Sequence, residues 1–184
     1  MGLNTGYTNT LNADTGGWNG YTLVNEFAVA GLTLPSMPIV AVRCTFQAAN
    51  ATEGLTITNA YIGHKAASGD AYDFASTPTQ LLFGGAAGYA IGIGSQQVTD
   101  FAPFAYNKTS NLLVAFYVNG GASVDTLRYI ASGVSNVNSW FRAATNEAGT
   151  VNKTTGYTAN AGRLLAINKI EFLTIQGESF FFTG

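Results

Sequence analysis

Charge is what this sequence has least of. Eight basic and ten acidic residues among 184 make up 10% of the chain, against roughly 25% in an average soluble domain. The formal net charge is -2 and neither sign forms a block, so the chain carries no electrostatic footprint for nucleic acid or for an anionic membrane. Cysteine is nearly absent as well, and Cys44 alone rules out an intrachain disulfide. With His64 the only histidine, the usual ligands of a zinc site are missing, which excludes transition-metal chemistry. The opening residues MGLNTGYTNT lack the basic start and apolar run of a signal peptide, and no stretch approaches the ~18 apolar residues of a membrane span. The expectation is a protein made in a cytoplasm, without cofactor or metal, that binds neither nucleic acid nor membrane. MGLNTG fits the myristoylation pattern only loosely, with Gly6 where Ser or Thr belongs. The sequons at Asn50, Asn107 and Asn152 carry no weight in a chain so rich in Asn and Thr.

What is present is strand-forming. IVAVRCTF (39–46), LTITNAYI (55–62), TQLLFGG (79–85), NLLVAFYVNG (111–120) and RLLAINKIEFLTI (163–175) are rich in β-branched and aromatic residues and end in Gly, Asn, Pro or Ser clusters. Alternation in the first of these puts Val40, Val42, Cys44 and Phe46 on one face, which predicts a buried, inert Cys44. LLVAFYV is apolar on both faces, as a central strand covered on both sides must be. No window of twelve residues shows a helical apolar stripe with a capping signal, so one short helical turn is the most to expect. These patterns predict an all-β fold, a two-layer antiparallel β-sandwich of jelly-roll type with little helix. Residues 1–20, polar and Gly-rich, are expected to form an N-terminal arm anchored by Trp18 and Tyr7, with residues 21–184 as a single sandwich domain. The polar stretch 131–162, which holds Trp140, Phe141 and Tyr157, is expected to form functional loops.

Catalytic constellations are hard to assemble. Ser68, His64 and Asp70 lie within seven residues of one loop, whereas triad partners converge from separate segments. There is no G-x-S-x-G elbow. Asp70, Asp73 and Asp100 offer oxygens of the kind calcium takes, but their spacing is not that of an EF-hand, and loop aspartates more often shape turns. GIGSQQ (92–97) lacks the third glycine and the helix of a dinucleotide loop and predicts a hairpin or bulge. Aromatics remain. Tyr72, Tyr89, Tyr106, Tyr129, Trp140 and Tyr157 fall in or near loops, and of these Tyr72, Tyr89, Trp140 and Tyr157 are the candidates for stacking on a sugar; core or interface filling is the competing role.

The middle of the chain, GLTITNAYIGHKAASGDAYDFASTPTQLLFGGAAGYAIGIGSQQVTDFAPFAYNKTSNLLVAFYVNGG (54–121), resembles a jelly-roll module of virion proteins of tailed bacteriophages. More distantly, it is similar to the non-catalytic jelly-roll domain that precedes some SGNH-type esterases. The shared elements are an A-Y-I-G strand end, a loop reaching Y-D-F, a strand meeting F-G-G, a Gly-rich turn, a V-T-D-F segment and the LLVAFYV strand. The resemblance implies a binding or structural module rather than an enzyme. In those esterases the catalytic residues lie in a separate domain, whose Gly-Asp-Ser nucleophile motif is missing here, the nearest string being Gly69-Asp70-Ala71, so no catalytic residue carries over.

One feature stands apart from the sandwich pattern. Phe180, Phe181 and Phe182 are consecutive, and in a strand neighbouring side chains point to opposite faces, so one sheet on one core cannot bury all three. With Trp18 they form the expected interface to other copies of the chain or to other virion proteins. The expected function is a structural protein on the virion surface, a capsid decoration protein acting through protein–protein contacts. The alternative is a carbohydrate-binding receptor module of a tail fibre or tail tip that contacts a host surface glycan.

Overall fold

Alternating segments become strands, and every strand pairing in the computed structural model is antiparallel. The structure describes residues 1–50, 53–121 and 125–175. The strands run β1 (Gly2–Thr8), β2 (Ala13–Thr15), β3 (Tyr21–Phe27), β4 (Ile39–Gln47) and β5 (Leu55–His64). There follow β6 (Thr79–Leu81), β7 (Tyr89–Ile91), β8 (Gln96–Val98), β9 (Ala102–Pro103) and β10 (Leu112–Val118). The last third holds β11 (Leu127–Ile130), β12 (Val137–Ala143), β13 (Thr158–Ala161), β14 (Leu164–Leu165) and β15 (Ile167–Thr174). The only helical element among the described residues is the 3-10 turn Val29–Gly31, so none is long and apolar enough to cross a membrane.

Two sheets form the layers. One has the order β1-β15-β4-β8, with β9 also on β4; the other has β13-β12-β3-β10-β5-β6, with β7 also on β5. The pairs nest: β1 with β15 encloses β3 with β10, which encloses β4 with β8 and β9, which encloses β5 with β6 and β7. That wrapping is the jelly roll. To it the chain adds the β12–β13 hairpin outside β3, and a three-stranded sheet, β14-β11-β2.

The core lies between the two sheets. Alternation sends Leu112, Val114, Phe116 and Val118 of β10 inward against Val42, Cys44 and Phe46 of β4. Phe46 meets Phe116 edge-on at 5.3 Å, and Tyr7 meets Phe27 at 4.8 Å, so aromatic pairs bridge the layers. Phe27, Phe46, Phe74, Phe116 and Phe172 are fully buried, each worth about 1.5–3 kcal/mol in transfer from water. The expected burial of Cys44 holds, and burial pushes its thiol pKa far up.

Three expectations need correction. Residues 1–20 are not a free arm: β1 pairs with β15 from Gly2–Thr174 to Thr8–Lys169, and Tyr7, Leu11 and Trp18 are core residues. The strand reads as polar because Tyr7 is the one large side chain it turns inward, beside the small or polar Asn4 and Gly6. A Cβ at Gly6 would lie 2.1 Å from the Phe172 ring, so only glycine lets the two strands pack. Residues 131–162 are not only loops, since they contain β12 and β13. Their alternation is masked because Ser139 faces inward and Trp140 outward. RLLAINKIEFLTI is two strands, because Ala166 takes a left-handed φ of 58° and breaks the pattern.

One polar residue ties the small sheet to the sandwich. Asn25, fully buried on β3, donates from Nδ2 to the Leu165 carbonyl at 2.9 Å and accepts from the Leu165 N–H at 3.0 Å. Asn25→Ala orphans both backbone groups at about 1–3 kcal/mol each, so a loss of about 2–6 kcal/mol is expected in urea denaturation. A loss under about 1 kcal/mol would contradict this role.

Candidate functional site

The outward residues of β10 set the site. Leu113 and Ala115 point away from the inter-sheet core and join Val24 of β3 and Trp140 of β12 in a second apolar cluster. Water would reach this face if nothing covered it, and two loops, residues 65–78 and 144–157, do so with Tyr72, Phe74 and Ala148. Phe74 settles over Gly63 of β5, where a Cβ would lie 2.7 Å from the ring. Tyr61, Tyr117, Val151 and Tyr157 close the cluster and stay half-buried.

Three of the four candidates for sugar stacking meet here. Tyr72 stacks on Tyr157 at 4.3 Å and lies 6.3 Å edge-on from Trp140. Their faces are used on one another, and Tyr72 and Trp140 are only 7% and 8% exposed. Tyr89 lies elsewhere, on β7, 43% exposed with its ring 6.0 Å from Phe83. Tyr106 stacks on Phe172 at 5.8 Å, and burial pushes its pKa up to about 12. Tyr129 lies under the Arg163 guanidinium at 5.1 Å. Trp18, expected at an interface, is buried in its own chain between Tyr21 and Phe141, at 5.5 and 5.1 Å. Phe180, Phe181 and Phe182 lie outside the described residues.

A buried polar network anchors the covering loops, and no local pattern of residues signals it. Glu147 accepts from the Tyr157 hydroxyl at 3.0 Å, the Thr154 N–H at 3.2 Å, the Thr154 hydroxyl and Arg142 at 3.3 Å. Burial alone would raise its pKa, but these donors more than offset that and hold it below the ordinary carboxylate value. Tyr157 is pushed the other way, first by burial and then by the Glu147 charge. Lys153 is buried with Nζ 3.8 Å from the centre of the Phe74 ring and 3.0 Å from the Thr150 carbonyl. Burial lowers its pKa to about 8. Nearby, the buried Glu26 carboxylate accepts from Lys65 and Asn111, both at 2.6 Å, and from Asn138 at 3.2 Å. These partners come from distant segments with no fixed spacing, so no motif marks them.

The other polar candidates shape the backbone. Asp73 accepts from the N–H groups of Lys153 at 2.8 Å and Asp70 at 3.1 Å, and Asp70 accepts from the Tyr72 hydroxyl at 2.9 Å. Asp100 accepts from the Gly85 N–H at 2.7 Å. Among the described residues no three His, Cys, Asp or Glu side chains are grouped to hold a metal ion. His64 accepts from the Asn107 N–H at Nε2, at 3.0 Å, with its ring beside Phe104 and Tyr106. Its hydrogen bond is to a backbone N–H rather than to Ser68 or Asp70, the geometry of a loop brace.

The five-stranded sheet presents the opposite picture. Leu3, Leu173, Ala41 and Pro103 stand directly opposite one another on four adjacent strands. Their row faces away from the core, Leu3 is 55% exposed and Ile175 just beyond β15 is 50% exposed. Beside it run Thr5, Glu171 and Arg43, with Glu171 held by Arg43 and Lys169, both at 2.8 Å. No protein-family model matches the chain, and no curated protein matches it in sequence.

His64 makes stability depend on pH. Burial lowers its pKa below the ordinary 6.5, so the unfolded chain takes up the proton first. Its contribution is therefore complete above about pH 6.5 and lost as pH falls through and below that value. Protonation also turns Nε2 into a donor facing the Asn107 N–H. Glu147 and Glu171, held below the ordinary range, stay ionised in this window. The urea midpoint should fall from pH 7.5 to pH 5.5, and His64→Gln should remove most of that fall; an equal fall in both proteins would overturn the assignment.

Proposed function

We propose that this chain is a structural protein of a tailed-phage virion, displayed on the particle surface as a capsid decoration protein and acting through protein–protein contacts. The observation that carries the reading is the contrast between the two sheet faces. Among the described residues, loops cover the outer face of the seven-stranded sheet, while the apolar row on the five-stranded sheet stays open at Leu3 and Pro103, half-buried at Leu173 and buried only at Ala41. A partly open apolar row on a domain with so little charge favours a partner surface. The resemblance of residues 54–121 to phage virion modules supports a virion as the assembly in which that surface meets its partner, another copy of the chain or another virion protein.

A second reading has its own support. Tyr61 and Tyr117 are half-buried on one sheet face, and Tyr89 is exposed. Such rings are what a tail-fibre receptor module uses to stack on host glycans.

Cosedimentation with particles that lack the chain separates the two. A decoration protein binds them saturably and gives no saturable signal on a glycan array. Leu3→Asp should weaken that binding about tenfold or more while leaving the melting temperature nearly unchanged, because Leu3 is already half-exposed. A saturable glycan signal abolished by Tyr61→Ala, together with no particle binding, would reverse the order of the two readings.

A further inference from the structure

We propose that the apolar end of the five-stranded sheet's outer face seats residues 176–184 of a second copy of this chain. The inference rests on the adhesive reading of that face and names its occupant. Three observations converge on it.

The first is the shape and chemistry of the seat. The Leu3, Leu173, Ala41 and Pro103 row crosses four strands, and no described residue covers Leu3. On one flank stands the Arg43, Glu171 and Lys169 group, two positive charges against one negative. Arg43 also lies over the Phe101 ring at 4.6 Å, which fixes its position. The seat therefore suits a short apolar segment that brings a single negative charge.

The second is what the chain itself supplies. Past Ile175 the sequence reads QGESFFFTG, three consecutive aromatics preceded by one acidic residue, Glu178. Apolar side chains match the row, and the carboxylate matches the surplus positive charge beside it. The starting point is at hand, because the Ile175 N–H donates to the Pro38 carbonyl at 3.3 Å at the end of β15, next to Leu173 and Leu3.

The third decides between the chain's own tail and a neighbour's. Adjacent residues of an extended segment face opposite ways, so a single sheet face covers Phe181 or its two neighbours but never all three. Two copies exchanging this segment bring two faces to it. The β1 edge leaves room for such an exchange: it carries no charge and no proline, and among the described residues it is blunted only at Gly6, whose carbonyl accepts from the Thr33 N–H at 2.7 Å.

Engineered cysteines test this cleanly, because the single native thiol, Cys44, is fully buried. The full-length variants Leu3→Cys and Phe181→Cys are purified separately, checked by near-UV circular dichroism, mixed and oxidised. A disulfide-linked dimer joining the two variants, well above that formed between Thr58→Cys and Phe181→Cys, is expected. In the native background Leu3→Asp should lower the self-association constant about tenfold or more by light scattering. No cross-link above the control, or only a monomeric intrachain disulfide in the Leu3→Cys/Phe181→Cys double variant, overturns the inference. The two proposals fail separately: particle binding without the cross-link removes this one alone, and the cross-link without particle binding removes the decoration role alone.

Discussion

The fold hangs on the burial of β10 on both faces. A strand that reads LLVAFYV has no polar side to give to water, so the sheet holding it must be covered twice. The inner cover is the other sheet of the jelly roll, through Phe46 and Val42. The outer cover has to come from loops, and that requirement explains the length of the segments 65–78 and 144–157. It also explains why their aromatics are inward: Tyr72, Phe74 and Tyr157 supply apolar area that Leu113, Ala115 and Trp140 need. Rings committed in this way lose most of the surface with which they would stack on a ligand.

Loops recruited as a cover bring polar backbone with them, and that backbone must be satisfied where water is thin. Glu147 accepts from the Thr154 N–H within the 144–157 loop, and Asp73 accepts from one N–H in each loop, those of Asp70 and Lys153. Glu26 does it at the end of β3, gathering Lys65, Asn111 and Asn138. A chain with ten acidic residues thus places Glu26, Asp73, Asp125, Glu147 and Glu171 in buried positions. Scarcity of charge on the surface follows partly from this use of charge inside, and it leaves Thr, Asn, Ser and Gly as most of the polar surface.

How much of this the sequence discloses depends on the length scale of each cause. The strands from IVAVRCTF to LLVAFYV were legible because their alternation is local and their apolar residues are large. β1 and β12 were not, because Gly6 and Ser139 occupy inward positions whose size and polarity answer to a partner strand far along the chain. The break at Ala166 had no local signal, since a left-handed alanine arises from what surrounds it. Tyr72, Trp140 and Tyr157 were recognisable as a set of loop aromatics, while their stacking on one another is a property of packing alone. Glu147 and Lys153 were invisible for the same reason, their partners coming from elements with no periodic relation to them.

The uneven treatment of the two sheets is itself informative. Covering the outer face of the seven-stranded sheet consumes two loops and a network of hydrogen bonds, and no comparable cover exists over Leu3 and Leu173 among the described residues. A sheet edge and face of this kind invite uncontrolled pairing, yet two features restrain it here. Thr33 occupies the β1 edge at Gly6, and the Arg43, Glu171 and Lys169 group stands beside the apolar row. Both limit what can dock without closing the surface: the first shortens the available edge, and the second makes any occupant that lacks a matching carboxylate desolvate an ion group at a loss. Restraint of that form disfavours promiscuous pairing, and it is the property that the proposed adhesive role requires of this face.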